Sequence, residues 1–228
     1  MKDMKRIYMI SGLLLLVAVV CAIAMQENTL RQFTSTRKQQ ISSGKVPISR
    51  QVKPQRIVSM SPGNTEILFA LGAGDRVVGV TSYSDYPEEA KLKPSIGGYH
   101  APNVEKIVAL EPDVVIAMGE VQTKYIRILE QAGIRVVSVE PKTLPEILAA
   151  IDVISEAIGE QERGAVLHAS LARQLAEVKR LTAQSPPKRI FLEIWDEPLL
   201  TVGKRSFIND MINQAGGINT AAEKNADY

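Results

Sequence analysis

Short β-branched runs alternate with helical stretches between Arg56 and Glu140, and this alternation restricts the possible folds more than any other feature of the chain. The connections between the runs are short, which is typical of a parallel sheet covered by helices. We therefore predict an α/β fold. The predicted strands are RIVSM (56–60), RVVGVTS (76–82), DVVIAM (113–118) and RVVSVE (135–140), and the predicted helices run from SPGN to Gly72 or Gly74, over about 103–110 and over about 122–132.

After Pro141 the pattern becomes helical. Apolar residues recur at helical spacing on two faces, which predicts two successive helices separated by Gly159. The second helix, about Glu160–Gln184, would be about 35 Å long at 1.5 Å per residue, and SPPK (185–188) would end it. The two faces are Ile147, Ile151, Ile154 and Ile158 on the first helix and Leu167, Leu171, Leu175 and Val178 on the second.

A second α/β unit begins at KRIFLEI (188–194), because SFINDMINQAGG (206–217) repeats the layout of NTEILFALGAG (64–74). The first copy continues to Glu140, whereas the second stops at Tyr228 without closing strands. We therefore expect two parallel-sheet lobes joined by a single long helix, with the second lobe incomplete and about 50–90 further residues in the native protein. The predicted divisions are an N-terminal lobe at 56–141, a helical linker at 142–187 and the start of a C-terminal lobe at 188–228.

The first 25 residues predict a signal peptide or a membrane anchor. Basic residues (Lys2, Lys5 and Arg6) precede 19 uncharged, mostly apolar residues from Ile7 to Met25. The small-x-small sequence AIA (22–24) offers a cleavage site, but the apolar run is also long enough to span a membrane. The two alternatives stay open, and either places the N-terminus in the cytoplasm.

Residues 26–55 show no apolar periodicity and predict a solvated tether, with a reach of about 30 Å if it is flexible. The single cysteine, Cys21, excludes an intrachain disulfide. Cys21 could carry a lipid, but the bulky Val20 before it favours a small apolar residue within the membrane segment.

The charge distribution argues against nucleic-acid binding. Residues 1–56 carry ten basic and two acidic residues, which leaves 17 basic and 23 acidic residues in 57–228. The predicted lobes are therefore mildly acidic and lack a basic footprint.

Enzyme chemistry and a built-in metal have little support in the sequence. The two histidines, His100 and His168, are far apart, and no cluster has metal-ligand spacing. A hydrolase triad of Ser61, Asp85 and His100 lacks the G-x-S-x-G elbow, and no glycine-rich phosphate loop follows a strand. We predict a protein that is not an enzyme and has neither a metal site nor a built-in cofactor.

The loops that follow the strands predict a ligand site, because ligands of open α/β sheets bind beyond the carboxyl ends of the strands. Four loops qualify: Ser61–Asn64, Tyr83–Pro87, Gly97–Pro102 and Met118–Val121. Flat aromatic and apolar side chains in them suit a flat, partly apolar ligand. Tyr86, before Pro87, is expected to be a packing corner instead. The candidate ligand residues are Ser61, Gly63, Tyr83, Tyr99, His100 and Met118, with Trp195 and Tyr228 at corresponding places of the second unit.

Three segments carry a family resemblance: RIVSMSPGNTEILFALGAGDRVVGVTSYSDYP, NVEKIVALEPDVVIA and TVGKRSFINDMINQAGGIN. Together they resemble the periplasmic binding proteins for cobalamin, iron–siderophores and haem. VGVTSYSDYP and GGYHAPNVEKIVALEPD are most similar to the vitamin B12-binding members. The resemblance covers about Pro54–Tyr228.

The resemblance implies a monomeric extracytoplasmic protein that binds cobalamin between two lobes and delivers it to an ABC importer. It would be periplasmic, or anchored on the outer face of the cytoplasmic membrane. Tyr83 would stack on the corrinoid, and Tyr99 and Met118 fall where the B12 proteins can carry aromatic residues. Glu105 would dock on the importer. Asp85, Tyr86 and Pro87 would fix the loop that directs Tyr83 into the cleft. Ferric-siderophore or haem binding and a small hydrolase are the alternatives.

Overall fold

Four parallel strands form the central sheet, in the spatial order β2-β1-β3-β4. They are β1 (Ile57–Ser59), β2 (Val77–Gly79), β3 (Val114–Met118) and β4 (Val136–Val139). All four strands lie within the runs predicted from the sequence. The structure is a computed structural model and describes residues 53–222. The predicted signal or anchor, Cys21, nearly all of the tether, and Tyr228 lie outside the described residues.

Helices cover both faces of this sheet, which explains why its strands are apolar on both faces. Residues alternate between two cores along β3: Val114 and Ile116 belong to one core, and Val115 and Ala117 to the other. Helices α1 (Pro62–Ala70) and α4 (Leu144–Ile158) complete the first core, while α2 (Val104–Ala109) and α3 (Gly119–Gln131) complete the second.

Polar side chains define where three of these helices begin. The side chains of Ser61, Asn103 and Thr143 accept hydrogen bonds from backbone N–H groups in the first turns of α1, α2 and α4. Each bond satisfies one of the donors that a helix N-terminus leaves unpaired. Gly159 ends α4 in the left-handed conformation, with φ of 74°, which glycine adopts without steric cost.

The long helix is α5 (Gln161–Thr182), of 22 residues and about 33 Å, so its prediction is confirmed apart from small differences at the ends. Its beginning is attached to the first lobe through Glu160, whose carboxylate lies 2.7 Å from the Arg76 guanidinium. Gly164 faces α4 so closely that a Cβ atom there would lie 2.2 Å from the Ser155 Oγ. The missing side chain lets the two helices pack together.

The described part of the second unit contains four short strands and one helix. Strands β5 (Lys188–Ile190) and β8 (Gly217–Asn219) pair in parallel, whereas β6 (Glu193–Trp195) and β7 (Leu200–Thr201) form a separate antiparallel pair. The run KRIFLEI, with which the second unit begins, is therefore divided between two strands that belong to two different sheets. Helix α6 (Phe207–Gln214) joins this unit to α4: the carboxylate of Asp210 accepts a hydrogen bond from the Leu144 N–H at 2.8 Å.

The apolar face predicted for α4 is buried. Ile151, Ile154 and Ile158 are at most 1% exposed, and Ile147 packs against the same core from its edge. No helix within residues 53–222 is both long and apolar enough to cross a membrane.

Replacing Ile154 with alanine should lower the free energy of unfolding by about 2–5 kcal/mol, because the change leaves a cavity in the core beneath the sheet. Val153 is the matched control, since it precedes Ile154 on α4 and is 45% exposed. Val153→Ala should change stability by less than about 0.5 kcal/mol. Urea denaturation of both variants measures the difference, and equal losses would show that this face of α4 does not form the core.

Candidate functional site

A cavity of about 640 Å³ opens at the carboxyl ends of β1 and β3. Its wall is formed by the start of α1, the loops that follow β2 and precede α2, the end of β3, and the start of α4. The lining residues are Ser61, Pro62, Gly63, Asn64, Glu66, Ile67, Tyr83, Tyr99, His100, Met118, Pro141 and Ile147. The volume falls in the range of small-molecule sites.

Six of the eight candidate ligand residues lie in this wall. The structure brings together Ser61, Gly63, Tyr83, Tyr99, His100 and Met118, which span 58 positions of the sequence. Trp195 does not line the cavity: it is 59% exposed, and its indole N–H donates to the Glu197 carbonyl at 2.9 Å. Tyr228 lies outside the described residues. The roles of these residues toward a ligand stay predictions.

The loop that carries Tyr83 is held by buried hydroxyl groups. The Thr65 hydroxyl donates to the Ser84 Oγ at 3.1 Å, and the Ser84 and Thr81 hydroxyls are 2.9 Å apart. The Thr65 Oγ1 also lies 2.8 Å from the Ser59 Oγ, within hydrogen-bond distance, so the loop is linked to β1. Tyr83 itself remains 66% exposed toward the cavity.

The surroundings of Tyr86 differ from those predicted from the sequence. It was expected to be a packing corner, but its side chain is 66% exposed and does not line the cavity. The residue that anchors this loop from within is Ser84, which is 4% exposed. A serine between two tyrosines in SYSDYP gives no sign of this role, because its partner Thr65 lies 19 positions earlier and becomes a neighbour only in the fold.

The buried side chain of Gln122 connects three segments of the wall. Its amide nitrogen donates to the Met60 carbonyl at 2.7 Å and to the Tyr99 carbonyl at 2.9 Å. Its amide oxygen accepts from the Met118 N–H at 2.8 Å. Gln122 is 0% exposed, and it thereby sets the separation between the ends of β1 and β3 and the loop that carries Tyr99. Sequence reasoning missed it, because glutamine on a helix is usually a surface residue.

A tight loop presents Tyr99 and His100. Gly97 has φ of 99°, and a Cβ atom there would lie 3.1 Å from the Ala101 carbonyl oxygen, so the loop requires glycine. The Ser82 N–H donates to the Gly97 carbonyl at 2.9 Å, which ties this loop to the one that carries Tyr83. The rings of Tyr99 and His100 meet edge to face, with centroids 4.7 Å apart.

The cavity wall carries one acidic residue and no strongly basic one. Glu66, on α1, is exposed and lines the cavity, whereas none of the twelve lining residues is Lys or Arg. Met118, Ile67 and Ile147 contribute apolar surface. Such a wall suits a flat ligand that is neutral or positively charged where it meets Glu66.

The geometry does not assemble the hydrolase triad considered above. The Ser61 hydroxyl accepts the Asn64 N–H at 3.2 Å as the cap of α1, and within the described part of the chain no hydrogen bond links Ser61, Asp85 and His100. No group of three or more His, Cys, Asp or Glu side chains with metal-binding geometry occurs within residues 53–222. Glu105 is exposed in the first turn of α2 and does not line the cavity.

The sequence and the fold place this chain in a known family of binding proteins. The periplasmic binding protein family matches residues 57–228, and the chain belongs to that family. The mixed α/β architecture with its parallel sheet agrees with the fold of solved periplasmic binding proteins.

Individual relatives carry transport-related names. The chain is 35% identical over 180 residues to YvrC of Bacillus subtilis, named an uncharacterized ABC transporter substrate-binding lipoprotein; the match covers 75% of this chain and 57% of YvrC. The chain thus spans less than two thirds of that relative's length.

Two solved structures share the fold, and the match covers a larger part of their own length than it does of YvrC. The periplasmic vitamin B12-binding protein BtuF of Vibrio cholerae is 29% identical with a TM-score of 0.71, over 77% of this chain and 69% of BtuF. The periplasmic haem-binding protein RhuT of Roseiflexus sp. RS-1 is 31% identical with a TM-score of 0.67, over 75% of this chain and 68% of RhuT.

Replacing Gln122 with leucine should lower the free energy of unfolding by about 1–3 kcal/mol, because two carbonyls and an N–H group would lose their partner in a buried place. Gln131→Leu is the matched control, since Gln131 lies on the same helix and is exposed; its effect should stay within about 0.5 kcal/mol. Chemical denaturation compares the two. A Gln122→Leu variant as stable as the control would mean that its three bonds contribute nothing net.

Proposed function

We propose that this protein captures a corrinoid, cobalamin, outside the cytoplasm and delivers it to an ABC importer. Membership of the periplasmic binding protein family supports capture and delivery of a small ligand. The names of YvrC and BtuF support an ABC importer as the partner and vitamin B12 as the ligand. The protein acts by binding and release, without catalysing a reaction of the ligand, and it works outside the cytoplasmic membrane.

The charge of the cavity is the observation that favours a corrinoid over haem. Haem carries two carboxylates, and many ferric siderophores are anions. An anion taken out of water needs Arg or Lys partners to offset its lost hydration, and the cavity wall offers Glu66 and neither of those residues. The corrin ring, by contrast, is surrounded by neutral amides, and its cobalt is positively charged.

The shape of the wall supports the same ligand. Tyr83 and Tyr99 offer aromatic rings, and Met118 and Ile147 add apolar surface around the cavity. A macrocycle can lie against such rings by stacking, which contributes about 0.5–1.5 kcal/mol beyond the burial of apolar area. The hydrogen bonds from the Gln122 side chain to the backbone and the hydroxyl bonds of Ser84 hold the two loops in place before a ligand arrives, which reduces the entropic cost of binding.

Haem remains the second candidate, because the similarity to RhuT is of the same order as that to BtuF. Visible absorbance separates the candidates, since corrinoids, haem and ferric siderophores are all coloured. The 228-residue chain is titrated with cyanocobalamin, haemin and the anionic siderophore complex ferric enterobactin. We expect cyanocobalamin to bind at least about tenfold more tightly than the other two. Tighter binding of haemin would overturn the choice of ligand, and no binding of any of the three would overturn the transport role.

Replacing Tyr83 with alanine should weaken cobalamin binding by about tenfold, or about 1.4 kcal/mol, as expected for the loss of an aromatic face. Tyr86→Ala is the matched control, because Tyr86 belongs to the same loop and is equally exposed at 66% but lies outside the cavity wall. Isothermal titration of both variants measures the affinities. An unchanged affinity for Tyr83→Ala would remove Tyr83 from the site.

Replacing Glu105 with alanine should leave cobalamin affinity unchanged but lower importer-dependent uptake, since an exposed charge outside the cavity acts mainly on docking. Glu130→Ala is the control, because Glu130 is also exposed, on α3. Uptake of labelled cobalamin into proteoliposomes that contain the cognate importer measures the effect. Equal uptake with the two variants would show that Glu105 does not contribute to docking.

A further inference from the structure

We propose that His100 binds the cobalt of the ligand directly, so that the site selects corrinoids whose axial position is occupied by exchangeable water. This inference rests on the proposed function and names the chemical form of the ligand. It assigns His100 a specific role, as a donor to the cargo metal, in addition to its place in the cavity wall.

The first support is that the ring nitrogens of His100 have no protein hydrogen-bond partner within residues 53–222. The side chain lines the cavity and is exposed, and no hydrogen bond or ion pair occupies its nitrogens among residues 53–222. The other histidine provides a contrast, because the Nδ1 atom of His168 lies 2.9 Å from a carboxylate oxygen of Asp152. A ring nitrogen that has no protein partner and faces a ligand cavity is available for coordination.

The second support is the way in which the imidazole is oriented. Its ring stands at 78° to the Tyr99 ring, and the peptide that joins the two residues includes the Tyr99 carbonyl held by Gln122 at 2.9 Å. The backbone beneath His100 is therefore fixed to the sheet through a buried residue. A ligand that stacks on the tyrosines would meet an imidazole already positioned at the same wall.

The third support is the chemistry of the ligand. Imidazole nitrogen is a common donor to transition metals, and an aquo-corrinoid carries Co(III) with a replaceable water. On binding, the Co–O bond to that water breaks, a Co–N bond to neutral His100 forms, and the water leaves to solvent. The oxidation state of cobalt does not change, so no oxidant or reductant is needed. Cyanide holds the same position firmly, so cyanocobalamin cannot form this bond.

The full chain is titrated with aquocobalamin and with cyanocobalamin while the visible spectrum is recorded. We expect the aquocobalamin bands to shift on binding to the positions of its imidazole adduct, measured separately with free imidazole, and the cyanocobalamin bands to stay in place. His100→Ala should abolish the shift and weaken aquocobalamin binding by about tenfold or more, with cyanocobalamin affinity changed by less than about threefold. His168→Ala should behave as the native chain.

The alternative donor in the cavity is the thioether of Met118, so Met118→Leu is included. A shift that survives His100→Ala, or disappears only in Met118→Leu, would overturn the assignment to His100. Binding of both corrinoids without any shift would overturn coordination while leaving the proposed function intact. Failure of both corrinoids to bind the native chain would overturn the proposed function and this inference together. Circular dichroism of each variant shows that it is folded.

Discussion

The walls of the cavity depend on buried polar contacts at the carboxyl edge of the sheet. Gln122 joins the end of β1, the end of β3 and the loop that carries Tyr99, and the hydroxyls of Thr65 and Ser84 attach the loop that carries Tyr83. Loops have few ways to hold a fixed shape, because their backbone groups lack the regular partners of helices and strands. Buried side chains supply these partners here, and they thereby fix the loops that carry Tyr83 and Tyr99.

Helix α4 links this cavity to the rest of the protein. Its first turns contribute Ile147 to the cavity wall, and its later turns bury Ile151 and Ile154 beneath the sheet. At its N-terminus the Leu144 N–H is bound by Asp210 of α6. One helix therefore contributes to the cavity wall, to the first core and to the contact with the second unit, so it links the position of the second unit to that of the cavity wall.

Much of the fold was predictable because it depends on local periodicity. The four strands of the main sheet, the isoleucine face of α4 and the end of that helix at Gly159 follow from apolar spacing and from the conformational freedom of glycine. The division of KRIFLEI into β5 and β6 was not predictable in this way, because each strand has only three residues and shows no apolar periodicity. The two strands are separated by their pairing: β5 pairs with β8, which lies more than 20 residues further along, and β6 pairs with β7.

The sequence by itself determined the α/β class, the long helix and the loops that carry the candidate ligand residues, since these follow from the order of apolar, polar and turn-forming residues. The tertiary structure alone decided which side chains support those loops and which charges meet in the cavity. Gln122 and Tyr99, or Thr65 and Ser84, are about 20 positions apart and become partners only when the sheet and helices are packed. Such pairings leave no periodic mark in a single sequence, because burial and hydrogen bonding depend on neighbours that the fold supplies.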